Sequence, residues 1–178
     1  VALDRAAWSW AEKENFLWVA RADAWPDEFN ARADAIVWSS GLKTWRKLAR
    51  RGVWVSGSAE SLGEDEAPGV DALVGAKPSW IKLSHPDSEA YASGLKLCAT
   101  YRLEPKAEAP ALKGRTHFFW MSASSFARAL ELEPSIRGAN HACGPGNTVR
   151  HLRKVLGEKA LLGIHLSVDD WRREIITE

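Results

Sequence analysis

A loop of small residues near the C-terminus lies where a strand-like run meets a helical run. It spans residues 143–148, CGPGNT, within the stretch HACGPGNTVRHL. The first backbone N–H groups of a helix have no partner inside the helix, so they attract anions. The loop therefore predicts either an anion contact through Gly144, Asn147 and Thr148, or a plain turn in which Asn147 or Thr148 caps the helix.

A nucleotide phosphate is not the anion that this loop favours. A Walker-type loop places a lysine directly after its second glycine, and Asn147 follows Gly146 here. The dinucleotide pattern G-x-G-x-x-G starts at Gly144 and Gly146, but its third glycine is missing. Helix N-termini also accept carboxylates, which leaves an organic acid as the alternative.

Three further turns combine small and hydroxyl residues after strand-like runs. Each turn by itself is typical of a helix cap. Together with the C-terminal loop they can hold several carboxylates of one elongated acid. The candidate substrate-binding residues in these turns are Ser39, Ser40, Gly57, Ser58, Ser122 and Ser124.

Few side chains offer proton transfer. Ser84 and His85, at the end of a strand-like run, are further candidate substrate-binding residues. His85 can bind an acid, although an exposed loop histidine is the plainer interpretation. Tyr101, in ATYRLEP, can donate a proton or hydrogen bond to a leaving oxygen, although its local pattern also fits packing. The two cysteines and five histidines have no metal-site spacing, so neither a metal nor a cofactor is expected.

Composition narrows the partners. The chain has 178 residues and a net charge of +1, so no overall field favours nucleic acid or a membrane surface. No apolar run approaches the roughly 18 residues of a membrane span, and the N-terminus lacks the basic and apolar pattern of a secretion signal. Cys98 and Cys143 fit reduced thiols, which predicts a cytoplasmic protein.

Strand-like and helical segments alternate along the chain, which predicts an α/β fold with parallel sheets. One pattern occurs twice, over 34–60 and over 114–148: strand, small polar turn, helix, strand, small-residue turn. The repetition predicts two similar lobes, each with a ligand-binding edge where its strands end. The predicted strands lie in 15–22, 34–41, 79–84, 95–105, 114–121 and 160–167, and in 53–60 and 138–146, where each strand is followed by a loop. The predicted helices cover 1–14, 42–52, 85–94, 122–134, 147–157 and 168–178.

Five of these segments, in this order, resemble the uroporphyrinogen-III synthase family. That family has a serine- or threonine-rich turn between a strand and a helix, a Gly-x-Ala-Thr turn, a tyrosine in its linker and an Ile-Gly-Pro-x-Thr-Ala loop. The corresponding segments of this chain are AIVWSSGLKTW, VWVSGSAES, ATYRLEP, HFFWMSASSFARAL and ACGPGNTV. The similarity covers about 34–178, and the ordered set carries it because no single motif is specific.

The resemblance implies two flavodoxin-like lobes joined by a two-stranded β-linker, with the substrate in the cleft between them. One lobe would be built from residues 1–22 and 103–178, and a shortened middle lobe from 23–102. The substrate would be hydroxymethylbilane, closed into a ring with inversion of its last pyrrole, and Tyr101 would help the hydroxyl leave. The expected protein is a monomer without cofactor, and hydroxymethylbilane synthase, fused or associated, is a candidate partner.

Departures from the family pattern keep an alternative open, and Glu60 and the shortened middle lobe are the two that favour it. Glu60 stands where the Gly-x-Ala-Thr turn has its threonine, and Cys143 stands where the loop has its isoleucine. The negative charge of an acidic residue repels a polycarboxylate unless the side chain points away. A degenerate, non-catalytic polycarboxylate-binding module is therefore the second hypothesis. A phosphosugar or nucleotide enzyme is the third. Val1 in place of Met would suit a fragment of a fused enzyme.

Overall fold

The computed structural model describes the chain except residues 61, 63–68, 89–94, 105–109, 159, 161 and 178, and except the side chains of 176 and 177. The chain divides into two compact units, Val1–Pro105 and Lys106–Glu178. Each unit contains a parallel sheet with helices in the connections, which confirms the predicted α/β class. Within the described residues, no helix has the length and apolar character needed to cross a membrane.

The first unit is built on a five-stranded sheet in which every neighbouring pair is parallel. Helix α1 (Leu42–Arg50) connects the second strand to the third, and a single turn, α2 (Asp71–Val74), precedes the fourth. The strands are β1 (Phe16–Val19), β2 (Ile36–Ser39), β3 (Gly57–Ser58), β4 (Ile81–Ser84) and β5 (Lys96–Ala99).

The strand order in this sheet is β3-β2-β1-β4-β5. The chain moves outward from β1 to β3 and then returns to add β4 and β5 on the other side of β1. Ligands of doubly wound sheets bind where the order reverses, beyond the carboxyl ends of the strands, which here is the crevice between β1 and β4. The order differs from the 2-1-3-4-5 order of flavodoxin-like sheets that the family resemblance implies.

Alternation along β1 explains why it lies at the centre of the sheet. Leu17 and Val19 are fully buried in one core cluster with Leu48 and Leu83, whereas Trp18 is buried in a second cluster with Trp80. Successive strand residues point to opposite faces, so β1 supplies both clusters at once. A short apolar run of this kind is typical of a strand covered on both faces.

The division of the chain differs from the expected one. Residues 1–22 belong to the first unit, not to a lobe formed with 103–178, because β1 pairs with both β2 and β4. The predicted helix over 1–14 is wrong, because two 3₁₀ helices, Arg5–Ala7 and Ser9–Lys13, occupy this segment. The chain bends between them at Trp8, whose buried indole donates a hydrogen bond to a backbone oxygen.

The second unit contains a three-stranded parallel sheet in the order β6-β7-β8. Its core is built around Trp120, Phe126 and Leu152. The buried imidazole of His141 accepts a hydrogen bond at Nδ1 from the Trp120 indole, 2.9 Å away. The elements are β6 (His117–Trp120), α3 (Ala123–Leu132), a 3₁₀ helix (Pro134–Gly138), β7 (Asn140–Cys143), α4 (Asn147–Leu156), β8 (Leu162–Ile164) and α5 (Val168–Thr177).

The repeated pattern in the sequence corresponds to one parallel βαβ motif in each unit. In the first unit β2, α1 and β3 form it, and in the second unit β6, α3 and β7 form it. The predicted strand over 53–60 is reduced to Gly57–Ser58. Of the helix predicted over 85–94, residues 85–88 form a turn closed by the Ser88 N–H on the His85 oxygen, 3.0 Å, and residues 89–94 lie outside the described residues.

Candidate functional site

Strand register places residues with polar side chains next to one another at the carboxyl edge of the first unit. Val19 of β1 pairs with Leu83 of β4, and Leu83 pairs with Cys98 of β5. Arg21, His85 and Thr100 each follow one of these residues by two positions, just beyond the ends of β1, β4 and β5. Neighbouring strands lie about 5 Å apart, so these three positions form a row at the carboxyl edge, with the crevice between β1 and β4 beside Arg21 and His85.

Tyr101 completes this row. Its ring is 6% exposed and meets the His85 imidazole edge to face, with the ring centroids 5.9 Å apart. The antiparallel bridge to Ala2 fixes its backbone. We call Arg21, His85, Thr100 and Tyr101 the crevice cluster.

Three buried polar atoms of the crevice cluster have no hydrogen-bond partner among the residues that the structure describes. They are the Tyr101 hydroxyl, the Thr100 hydroxyl and Nδ1 of His85. A buried polar group without a partner costs about 1–3 kcal/mol, so proteins rarely leave one unpaired. Two other such atoms, Nε1 of Trp18 and Nε2 of His141, lie in the cores. The three of the crevice cluster lie at the sheet edge where doubly wound folds bind ligands, which makes the cluster the candidate site.

The protonation states of the two rings follow from their surroundings. Burial raises the pKa of the Tyr101 phenol, and the nearby Arg21 charge only partly opposes this. Burial lowers the pKa of His85, and Asp87 partly opposes it. At neutral pH the site therefore offers a protonated phenol and a neutral imidazole. The buried Ser84 side chain also acts to lower the Tyr101 pKa, but the two hydroxyls do not reach hydrogen-bond geometry.

The backbone on both sides of Arg21 is anchored. The Ser40 hydroxyl donates to the Ala20 oxygen over 2.7 Å, and the Arg51 guanidinium donates to the Ala22 oxygen over 2.9 Å. Nη2 of Arg21 itself lies 3.2 Å from Oδ2 of Asp23. Sequence reasoning missed Arg21, because only the strand order reveals that the residues after β1 line the crevice.

Ser39 and Gly57 have packing roles. Ser39 is fully buried, and its hydroxyl donates to the backbone oxygens of Gly41 and Gly57, over 3.3 and 3.4 Å. A Cβ on Gly57 would lie 2.2 Å from the Trp38 ring. These two candidate residues therefore hold β2 and β3 together, and their side-chain positions are filled by the protein itself.

Ser58 is hydrogen-bonded to Glu60 in the turn after β3. The Ser58 hydroxyl donates to Oε1 of Glu60 over 3.0 Å, and the Glu60 N–H donates back to the Ser58 oxygen over 3.1 Å. Glu60 adopts φ +49°, in the left-handed region that non-glycine residues seldom enter. The turn therefore presents an exposed carboxylate at the edge of β3.

In the second unit the serine turn is a helix cap. The Ser122 oxygen accepts a hydrogen bond from the Ser125 N–H over 3.2 Å, and the hydroxyls of Ser124 and Ser125 lie 3.1 and 2.8 Å from it. This is the usual N-cap geometry, with the first turn of α3 satisfied by the side chain. Ser122 and Ser124 therefore bond mainly to each other and to α3.

The loop before α4 behaves differently. Gly146, with φ +95°, is the N-cap, and no described side chain caps the helix, so the expected capping by Asn147 or Thr148 is wrong. The Asn147 side chain instead accepts a hydrogen bond from Arg150 over 3.4 Å. Among the residues that the structure describes, no buried side chain without a partner lies at this helix start.

A cavity of about 560 Å³ in the first unit lies elsewhere. Its walls include residues 25–35 and 51–54, beside the start of β2 and the end of α1, away from the carboxyl edge. The Arg51 guanidinium in this wall is already bonded to backbone oxygens and Asp27. We therefore locate the functional site by the unpaired polar atoms of the crevice cluster and not by cavity volume.

Among the residues described, no group of three or more His, Cys, Asp or Glu side chains is placed to hold a metal ion. The comparisons with known proteins add no family: no protein-family model, no curated protein and no solved structure matches the chain.

Proposed function

We propose that this protein is a uroporphyrinogen-III synthase and that the crevice cluster contains its reaction site. The observation that carries the proposal is the buried, protonated Tyr101 phenol, whose unpaired hydroxyl faces no described partner at the edge where doubly wound sheets bind ligands. Tyr101 is also the residue at the position of the family's linker tyrosine.

The proposed reaction closes hydroxymethylbilane, a linear tetrapyrrole with several carboxylates. The bond between the hydroxymethyl carbon and its oxygen breaks while Tyr101 donates its proton, so that the hydroxyl leaves as water. The resulting azafulvene cation is attacked by the substituted carbon of the terminal pyrrole, and a spiro intermediate forms. Reopening and reclosure invert that ring, and the proton released on reclosure restores the phenol.

The residues of the site suit this chemistry. Without an enzyme the substrate closes without inversion, so the protein must mainly hold the chain in one folded geometry. The crevice cluster combines a phenol, a neutral imidazole and a hydroxyl with one guanidinium, none of which is a strong acid or base. The segment after β1, ARADA, contains no glycine that would let a phosphate approach the backbone, which disfavours the nucleotide hypothesis.

One observation favours the second hypothesis, a non-catalytic polycarboxylate-binding module. Glu60 holds the Ser58 hydroxyl and places an exposed negative charge at the same sheet edge. This carboxylate would repel a substrate carboxylate that extended over β3. Such a module would bind a tetrapyrrole carboxylate at the crevice without closing the ring.

Product analysis distinguishes the two functions. Purified protein is incubated with hydroxymethylbilane, and the products are oxidised to porphyrins and separated by chromatography. The synthase yields predominantly isomer III. Isomer I alone, as in the uncatalysed reaction, excludes the synthase, and tight binding of uroporphyrinogen under the same conditions would then support the binding module. We also propose that the active form is a monomer. Hydroxymethylbilane synthase would supply its substrate.

A further inference from the structure

Two arginine–aspartate pairs of the first unit have the same spacing in sequence but different geometry. Arg32 donates to Asp34 through both Nε and Nη2, each over 2.8 Å, so the carboxylate fills one side of the guanidinium. Arg21 makes a single contact with Asp23, from Nη2 over 3.2 Å. Arg21 thus holds its internal carboxylate far less completely than Arg32 does.

The weaker contact of Arg21 with its aspartate matters because of where Arg21 lies. Arg21 lies two residues beyond Val19, the end of β1, and Val19 pairs with Leu83 of β4, two residues before His85, so Arg21 lies at the crevice where the strand order reverses. Its side chain is 60% exposed, so a molecule from solvent can reach it. Arg32 precedes β2 and lies outside the crevice cluster.

We propose that Arg21 binds a carboxylate of the substrate and that Asp23 occupies the guanidinium in its place until the substrate arrives. The proposal rests on the proposed function and names the group that orients the tetrapyrrole over Tyr101. An arginine and a carboxylate form two parallel charge-assisted hydrogen bonds, which fix orientation as well as position. The hydroxyls of Thr100 and Tyr101 are further donors at the same edge.

If the substrate carboxylate replaces Asp23 on Arg21, substitutions of these two residues should change KM in opposite directions. R21Q removes the binding charge and should raise KM about tenfold or more, because a hydrogen bond to a charged group contributes that much binding. D23N removes the competitor and should lower KM about twofold to fivefold, the range of an exposed ion pair. The main effect should appear in KM and not in kcat, since Arg21 contacts a carboxylate of the substrate and not the bond that breaks.

The pair Arg32 and Asp34 provides the matched control. R32Q and D34N make the same changes of charge in the same unit, and KM should stay within about twofold of the wild type. Circular dichroism and thermal unfolding of all four variants show whether each retains its fold. A KM for R21Q that equals that of R32Q would overturn the proposal. A higher KM for D23N would also overturn it, because loss of either partner of a purely structural ion pair would weaken substrate binding.

The same variants test the inference even if the proposed function fails. Uroporphyrin I, a stable polycarboxylate, is titrated into each protein, and binding is followed by quenching of tryptophan fluorescence. A wild type that forms no isomer III refutes the synthase, whereas the dissociation constants still test Arg21. Weaker binding by R21Q and tighter binding by D23N support the carboxylate site, and equal binding by all variants, or none by the wild type, refutes it.

Discussion

Replacement of Tyr101 by Phe separates a functional hydroxyl from a structural one. The ring is 6% exposed and packs in the core cluster that contains Leu83 and Cys98. Phe keeps this packing and removes one oxygen atom. That atom has no hydrogen-bond partner within the described part of the chain, so its removal breaks no bond in the folded protein.

The expected change in stability follows from that geometry. Burying a hydroxyl without a partner costs about 1–3 kcal/mol, part of which Phe recovers. We therefore expect the free energy of unfolding of Tyr101→Phe to stay unchanged or to rise by about 1 kcal/mol. A hydroxyl that were hydrogen-bonded for structural reasons would instead lower it by about 1 kcal/mol.

The expected change in catalysis has the opposite sign. Proton donation by a positioned side chain contributes about 10²–10⁴-fold in general, but the hydroxyl of hydroxymethylbilane also leaves without an enzyme. We therefore expect kcat for isomer III to fall about tenfold. Urea unfolding and initial rates measured on the same preparation check both values. Unchanged kcat together with lower stability would refute the leaving-group role of the Tyr101 hydroxyl and would show that this hydroxyl is structural.

Three further predictions concern the framework. Burial lowers the pKa of His141, so the unfolded chain binds the extra proton first, and stability should fall as the pH drops below about 6.5; urea unfolding at pH 7.5 and 5.5 should show a loss of at most about 1.4 kcal/mol that His141→Gln removes. Gly57→Ala should destabilise by about 1–3 kcal/mol because the new methyl group meets Trp38, whereas Gly138→Ala, with open space around it, should change little in the same thermal melts. Ser122→Ala should cost about 1 kcal/mol by loss of the helix cap, and an unchanged melting temperature would contradict that role.

Local sequence signals predicted much of the fold. The apolar spacing of α1, with Gly52 just beyond its end, predicted that helix to within two residues, and the apolar run of β1 predicted its start to within one residue and its end to within three. Ser167 caps α5 as expected, accepting a hydrogen bond from the Asp170 N–H over 3.1 Å. These features depend on neighbours in sequence, which is why they can be deduced from the sequence alone.

Features that depend on distant neighbours could not be predicted in the same way. Which strands flank β1 depends on the packing of Leu17 and Trp18 on opposite faces, and the family resemblance implied a different division of the chain. The N-terminal segment has the composition of a helix, yet burial of Trp8 produces two short 3₁₀ helices. Local propensity is a weak determinant when a large side chain must reach the core.

In the candidate site too, some features could be predicted from the local sequence and others could not. Tyr101, Ser84 and His85 were predicted separately, and the structure brings them together at one sheet edge. Arg21 was missed because nothing in the letters around it marks a binding residue until the strand order is known. Ser39 and Gly57 have the residue types of a ligand turn, but their side-chain positions are filled by contacts within the sheet.

The most direct test of the central claim is the isomer ratio that the wild-type protein produces from hydroxymethylbilane, compared with the same protein after heat inactivation. We expect isomer III as the main product of the active sample and isomer I from the inactivated one. Isomer I in both samples would contradict the claim that the crevice around Tyr101 carries out ring closure with inversion.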